Sequence, residues 1–241
     1  MQQADFEASP PRALVIGSSG GIGAALESQL GRKGWQVHGL SRSPSAASDR
    51  IAIDITCEST IEAAASRLRS QAPFSVVLVC TGLLHGENLK PEKALRELDR
   101  DNLMQLYAVN AVGPALVAKH FIPLLPRTGR CIFATLSARV GSIGDNRLGG
   151  WHGYRASKAA LNMLIKTISI ELARTRPEAI CVGLHPGTVD TGLSKPFQRN
   201  VRPEKLFSAD TSASHLLHVL DNLDPADTGR CFAWDGAEIV P

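Results

Sequence analysis

The chain has 241 residues, 44% hydrophobic and 20% charged, a globular composition that excludes a wholly disordered, fibrous or collagen-like chain. Its 26 basic and 23 acidic residues leave a formal charge of +3, with no basic run or face of the kind nucleic-acid binding needs. Cys57, Cys80, Cys131, Cys181 and Cys231 form no CxxC and no Cys/His cluster, so neither a disulfide framework nor a metal site is expected. Residues 1–12 lack the apolar core of a signal peptide, and no stretch of about 18 apolar residues occurs. The expectation is a cytoplasmic protein with no membrane span and no nucleic-acid partner.

Residues 1–11 are polar, end in Pro10-Pro11 and read as a disordered tail. The β-branched run 13–16 predicts a strand, and the glycine cluster from Gly17 to Gly23 follows it at once. Ile22, Ala25, Leu26 and Leu30 recur at helical spacing up to Lys33, and Gly34 closes that helix. Strands are predicted at 35–40 and 51–54, a helix at about 59–70, and a strand at 74–80. The last is apolar at nearly every position, as a strand covered on both faces should be. Further on come a helix at 101–124, a strand at 130–135, a long helix at 153–174, a strand at 180–185, a helix near 210–222 and a strand at 230–234. Strand and helix alternate over most of the chain, which predicts an α/β fold. It is a doubly wound parallel sheet of about seven strands with helices on both faces, in one domain over residues 12–241. The segment 186–208 is the least regular and reads as a surface loop at the carboxyl ends of the strands.

A glycine-rich turn between the first strand and first helix is where such a sheet binds dinucleotides. Glycines let the backbone approach a pyrophosphate, and the helix amides face its charge. The spacing here is Gly17-x-x-x-Gly21-x-Gly23; the plain alternative is a glycine turn with no ligand. After the second strand, where an acidic residue would favour NAD, the sequence has Ser41-Arg42. A hydroxyl and a planar guanidinium suit a 2′-phosphate, so NADP(H) is expected over NAD; otherwise Arg42 is a solvated arginine.

Tyr154 heads Tyr154-Arg-Ala-Ser-Lys158, which puts a lysine one helical turn away on the same face. A free phenol titrates near 10, and a cation held close should lower that and make the tyrosine an acid/base for a carbonyl or alcohol oxygen. Ser137 follows an apolar strand and is placed to hydrogen-bond the substrate oxygen, or simply to cap a turn. Asn110 is polar within a largely apolar helix, where asparagine is disfavoured, so a structural or functional partner is expected.

The order Gly17xxxGly21xGly23, Cys80-Thr81-Gly82, Asn110, Ser137, Tyr154xxxLys158 and Pro186-Gly187 resembles the short-chain dehydrogenase/reductase family. Stretches such as 82–86, 139–147, 154–162 and Trp234-Asp-Gly236 are similar to its C-factor-like branch. The resemblance implies a three-layer Rossmann fold and a homodimer or homotetramer built on the two long helices. It implies Tyr154 as acid/base, Lys158 lowering its pKa and binding the nicotinamide ribose, Ser137 holding the substrate oxygen, and Asn110 helping a water relay protons to Lys158. Cofactor contacts are implied for Gly17, Ser19, Gly21, Ile22 and Gly23, for Ser41 and Arg42, for Asp54 and the Ile55 backbone at adenine, and for Thr81 and Gly82. Pro186, Gly187, Val189 and Thr191 would border the nicotinamide and phosphates.

Three departures stand out. Ile16 occupies the place of a usual threonine, and Cys80-Thr81-Gly82 replaces Asn-Ala-Gly. Ser137 and Tyr154 are 17 positions apart, more than is usual, so either a loop at about 141–151 bulges near the substrate or Ser142 takes the serine's role; Ser137 is favoured. His85 and His152 are expected near the site mouth without a catalytic role, and Leu148, Trp151, Leu193 and Phe197 either line an apolar pocket or pack a loop. The leading expectation is an NADP(H)-dependent oxidoreductase interconverting a ketone or aldehyde and an alcohol; the alternative is an NADP-binding signalling or sensor protein with little turnover.

Overall fold

The computed structural model describes residues 10–43 and 50–241, so most of the expected tail lies outside the described residues. Arg12 already opens the first strand, β1 (Arg12–Ile16). α1 (Gly21–Arg32), β2 (Gln36–Ser41), β3 (Ile51–Ala52), α2 (Glu58–Leu68) and β4 (Val76–Val79) follow. After α3 (Arg100–Tyr107) and α4 (Gly113–Phe121) come β5 (Cys131–Leu136), α5 (His152–Ala173) and β6 (Ala179–His185). The chain closes with β7 (Thr188–Val189), β8 (Leu206–Phe207), α6 (Ala209–Asn222) and β9 (Cys231–Ala233).

Seven strands form one parallel sheet in the order β3-β2-β1-β4-β5-β6-β9. Successive strand residues point to opposite faces, and the sequence supplies apolar side chains to both. Leu14, Ile16, Val77, Val79, Phe133 and Cys181 face one core with α2, α4 and α5. Ala13, Val15, Leu78, Ile132, Ala134 and Val182 face the other with α1 and α6. Phe74, Phe121 and Phe133 are fully buried, each worth roughly 1.5–3 kcal/mol by apolar burial. The sequence reading of a doubly wound sheet covered on both faces holds.

The chain leaves β1 toward β2 on one side and returns to β4 on the other. That reversal opens a crevice at the carboxyl ends of β1 and β4, where sheets of this kind take ligands. Two expectations need correction. The helix expected at 101–124 contains a π segment at Ala108–Val112 between α3 and α4. The region 186–208 is not wholly irregular, because β7 and β8 pair within it as a second small sheet.

Candidate active site

Gly17 turns the chain out of β1 with φ +87°, a conformation that glycine alone adopts without strain. The Leu40 carbonyl accepts from the Gly17 and Ser18 amides at 2.8 and 3.1 Å. The loop is thus tied to the sheet although Ile16 stands where a threonine is usual. A Cβ on Gly23 would overlap the Gly17 carbonyl, so the helix start packs directly on the turn. α1 has no side-chain cap at Gly20, which leaves its first-turn amides open to an anion.

A cavity of about 770 Å³ runs along the crevice, within the usual range for ligand pockets. Gly21, Ile22, Gly23, Thr81 and Gly82 line one part, and Pro186, Gly187, Val189 and Thr191 another. Ser137, Tyr154 and Lys158 line it as well. The Thr81 hydroxyl at the cavity, and the Ser41 hydroxyl beyond it, are buried with no partner among the described residues, polar atoms that a nucleotide would satisfy. With the uncapped helix start, these groups fit a dinucleotide cofactor.

α5 carries Tyr154 and Lys158 one turn apart, 7% and 2% exposed. The Lys158 ammonium donates to the Leu136 carbonyl at 2.8 Å and lies 5.9 Å from the centre of the Tyr154 ring. Burial pushes Lys158 down to about 8 and Tyr154 up to about 12. This corrects the expectation of a lowered phenol pKa: removal from water penalises the phenolate, and the pair stands as phenol plus ammonium at neutral pH. The Ser137 hydroxyl also departs from expectation, donating to Asn162 Oδ1 at 2.6 Å.

The long connection before α5 builds the cavity wall. It contributes Asp145, Arg147, Leu148 and Trp151, facing Leu193 and Phe197 across the space. The four apolar residues singled out for a pocket all line it, and the Trp151 and Phe197 rings lie 5.1 Å apart. Gly149, Gly150 and Trp151 are all left-handed, at φ 62°, 63° and 52°. Arg155 fastens that bend by donating to the carbonyls of Gly149, Gly150 and Val140. Glu92, 4% exposed, accepts from the Gly153 amide at 3.2 Å, and its carbonyl accepts from Trp151 N–H. Ser142 does not line the cavity and its hydroxyl accepts from the Asp145 amide; of the two serines it is Ser137 that lines it.

Several expected residues stand elsewhere. Asn110 is fully buried in the π segment, just behind Gly82 and not itself lining the cavity, with its amide committed to both backbone groups of Leu83 and to Ser157 Oγ at 2.8–3.1 Å. It braces the strand-to-loop segment after Gly82, in the absence of the usual asparagine at Cys80-Thr81. Gly17 shapes the loop, and Ser19 is exposed and outside the cavity. Ser41, Arg42, Asp54 and Ile55 lie beyond the cavity, at the ends of β2 and β3. Hydrogen bonds from Thr56, and then the Arg42 charge, hold the Asp54 carboxyl below its ordinary value. His152 does not line the cavity, and the His85 ring is paired with the Gly192 carbonyl at 3.0 Å.

Sequence reasoning missed His185, which lines the cavity with Nδ1 buried and unpaired among the described residues, and which burial pushes down to about 4. Its only sequence signal is its place just before Pro186-Gly187. Glu92 escapes it too, since Lys90-Pro-Glu-Lys93 reads as a solvated charged run.

A seven-stranded parallel sheet with a glycine turn at its switch point and a Tyr/Lys pair across the crevice defines a dinucleotide-binding α/β protein. The short chain dehydrogenase family profile matches residues 11–202, and the chain belongs to that family of oxidoreductases. C-signal of Myxococcus xanthus is 35% identical over 147 residues, covering 61% of this chain and 82% of that protein. The crystal structure of NADPH-bound carbonyl reductase from chicken fatty liver shares the fold at TM-score 0.84 and 23% identity, over 97% of this chain and 100% of that one. An NADP-bound short-chain dehydrogenase/reductase of Burkholderia multivorans, described as putative, has TM-score 0.80 and 28% identity, over 96% and 100%.

Proposed function

We propose that the protein is an NADP(H)-dependent oxidoreductase that interconverts a ketone or aldehyde and an alcohol, with residues 12–241 acting as one Rossmann domain. The observation that carries this reading is the Tyr154 phenol and the Lys158 ammonium on one cavity wall with Ser137, opposite the glycine loop. Gly21, Ile22, Gly23 and Thr191 would hold the phosphates, with Gly17 and Ser19 shaping the loop; Thr81, Gly82 and Lys158 would hold riboses. Ser41 and Arg42 would take a 2′-phosphate, with Asp54 and Ile55 at adenine and Pro186, Gly187 and Val189 at the nicotinamide. Bound there, NADP(H) would supply the chemistry of hydride exchange with the substrate carbon.

The chain's own residues handle the proton. Tyr154, kept protonated by burial, gives its phenolic proton to the carbonyl oxygen as charge builds there. Lys158 stabilises the resulting phenolate by its charge. Ser137 turns its hydroxyl to the same oxygen and holds it against Tyr154. His185, neutral across the physiological range, offers the substrate a hydrogen bond without a charge. Asn110 acts indirectly, by fixing the segment after Gly82. Exposed Met104, Val112, Met163 and Ile170 on the helical layer suit the homodimer or homotetramer expected from the sequence.

The test is NADPH oxidation with a panel of ketones and aldehydes. Tyr154→Phe should lower kcat by about 10²–10⁴, the usual worth of a positioned acid, with NADPH affinity within a few-fold of wild type. The likeness to C-signal favours a second reading, a signalling role with little turnover. That reading wins if the wild type binds NADPH tightly yet reduces no member of the panel, and Tyr154→Phe leaves biological activity unchanged.

A further inference from the structure

Asn162 lies two helical turns beyond Tyr154 on α5 and reaches the same wall from behind. Its Oδ1 accepts from Ser137 Oγ at 2.6 Å and from Cys231 Sγ at 3.2 Å, and its Nδ2 faces the Gly141 carbonyl at 3.5 Å. A carbonyl can only accept, so the nitrogen end of the amide must face Gly141 and the oxygen end must face Ser137. Ser137, 6% exposed, therefore commits its single hydroxyl proton to Asn162. Gly183 makes room for this meeting, because a Cβ there would run into Cys231 Sγ and crowd Ile165 Cδ1.

We propose that Asn162 is a positioning residue for Ser137: it holds the serine oxygen at the cavity wall, accepts its hydrogen bond while no carbonyl is bound, and gives that bond up when one arrives. The claim rests on the oxidoreductase reading of the same site. When Ser137 rotates its proton toward a substrate oxygen, Asn162 Oδ1 would be left buried without a donor, which is costly. The Cys231 thiol covers that moment. Burial pushes this thiol up to about 11, so it keeps its proton throughout the physiological range. No proton leaves any of the three residues; only the direction of one hydroxyl changes.

The experiment is a double-mutant cycle. Asn162→Leu, of similar volume, should lower kcat about tenfold, the worth of one lost hydrogen bond of about 1.4 kcal/mol, with NADPH affinity unchanged. In a Ser137→Ala background the same substitution should cost nothing further. Cys231→Ala should lower kcat a few-fold only while Ser137 is present. Asn162→Asp keeps the accepting oxygen and should recover activity on the alkaline side of a new acid limb in its pH profile. Equal losses in both backgrounds, or wild-type kcat in Asn162→Leu, would overturn the proposal. If the wild type turns over nothing, the oxidoreductase reading fails, and the bond is still read directly. Ser137 should give a slowly exchanging downfield hydroxyl proton resonance in the wild type, missing from Ser137→Ala and Asn162→Leu. Absence of that resonance in the wild type sinks the inference by itself.

Discussion

Lys158 is 2% exposed and titrates near 8 where an ordinary lysine titrates at 10.5. That gap corresponds to about 3 kcal/mol against folding whenever the side chain is charged. A lysine whose folded value is depressed binds fewer protons folded than unfolded between the two values. Stability therefore rises with pH through the window from about 8 to 10.5, and the full penalty stands below it. Lys158→Met removes the charge and keeps the length, at the cost of the 2.8 Å bond to the Leu136 carbonyl, roughly 1.5–3 kcal/mol for a charged donor. The two effects nearly offset at pH 7, so the variant should be as stable as wild type or slightly more so, while carbonyl reduction is lost. Urea melts of both proteins from pH 7 to 10.5 isolate the coupling, since the other titrating groups cancel in the difference. Wild type should gain about 3 kcal/mol relative to the variant across that range. Parallel curves would refute the account of a desolvated ammonium beside Tyr154.

Gly23→Ala forces a methyl group into the Gly17 carbonyl; nucleotide affinity should fall more than tenfold and stability by about 1–3 kcal/mol, read by fluorescence titration and melting. Arg42→Asp should weaken NADPH by about 10–100-fold, the worth of a charge-assisted contact, and bring NADH affinity level with it or above; an unchanged ratio of dissociation constants places the 2′-phosphate elsewhere. Glu92→Leu removes the carboxylate at the start of α5. A loss of about 1–2 kcal/mol is expected, seen as a drop of a few degrees in Tm together with a raised KM, as the Gly153 amide at the start of α5 loses its acceptor.

The glycine loop, the seven strands and the Tyr154/Lys158 pair are legible because each is written in a contiguous stretch: a β-branched run, a turn, a helical spacing. Even the long connection between Ser137 and Tyr154 announces itself by its length, and it does bulge into the pocket wall. The features that escape depend on elements that meet only after folding. Glu92 is a charged residue in a charged run until the chain brings it under α5. Asn162 is one more polar helix position until β5 and β9 deliver Ser137 and Cys231 to it. Asn110 stands out among its apolar neighbours, but its destination, the Leu83 backbone, lies 27 positions away and no local pattern points there. The direction of the Tyr154 shift is hidden for the same reason. Spacing locates the cation, whereas burial, which sets the sign here, belongs to the whole fold.

The π segment at Ala108–Val112 has a consequence for how this helix tolerates length changes. A π turn accommodates one residue more than the α-helical turn it replaces. Deleting a single codon there would let the helix relax to regular winding while α3 and α4 keep their faces, because the wide turn already absorbs the extra residue. Leu106, packed with Tyr154 and Leu84, would stay in phase with Val117 and Phe121, which hold the other end in the core. In evolutionary terms this stretch is an absorbed insertion: losing one residue would remove the wide turn that seats Asn110 against Leu83, yet leave the pocket wall aligned with the sheet.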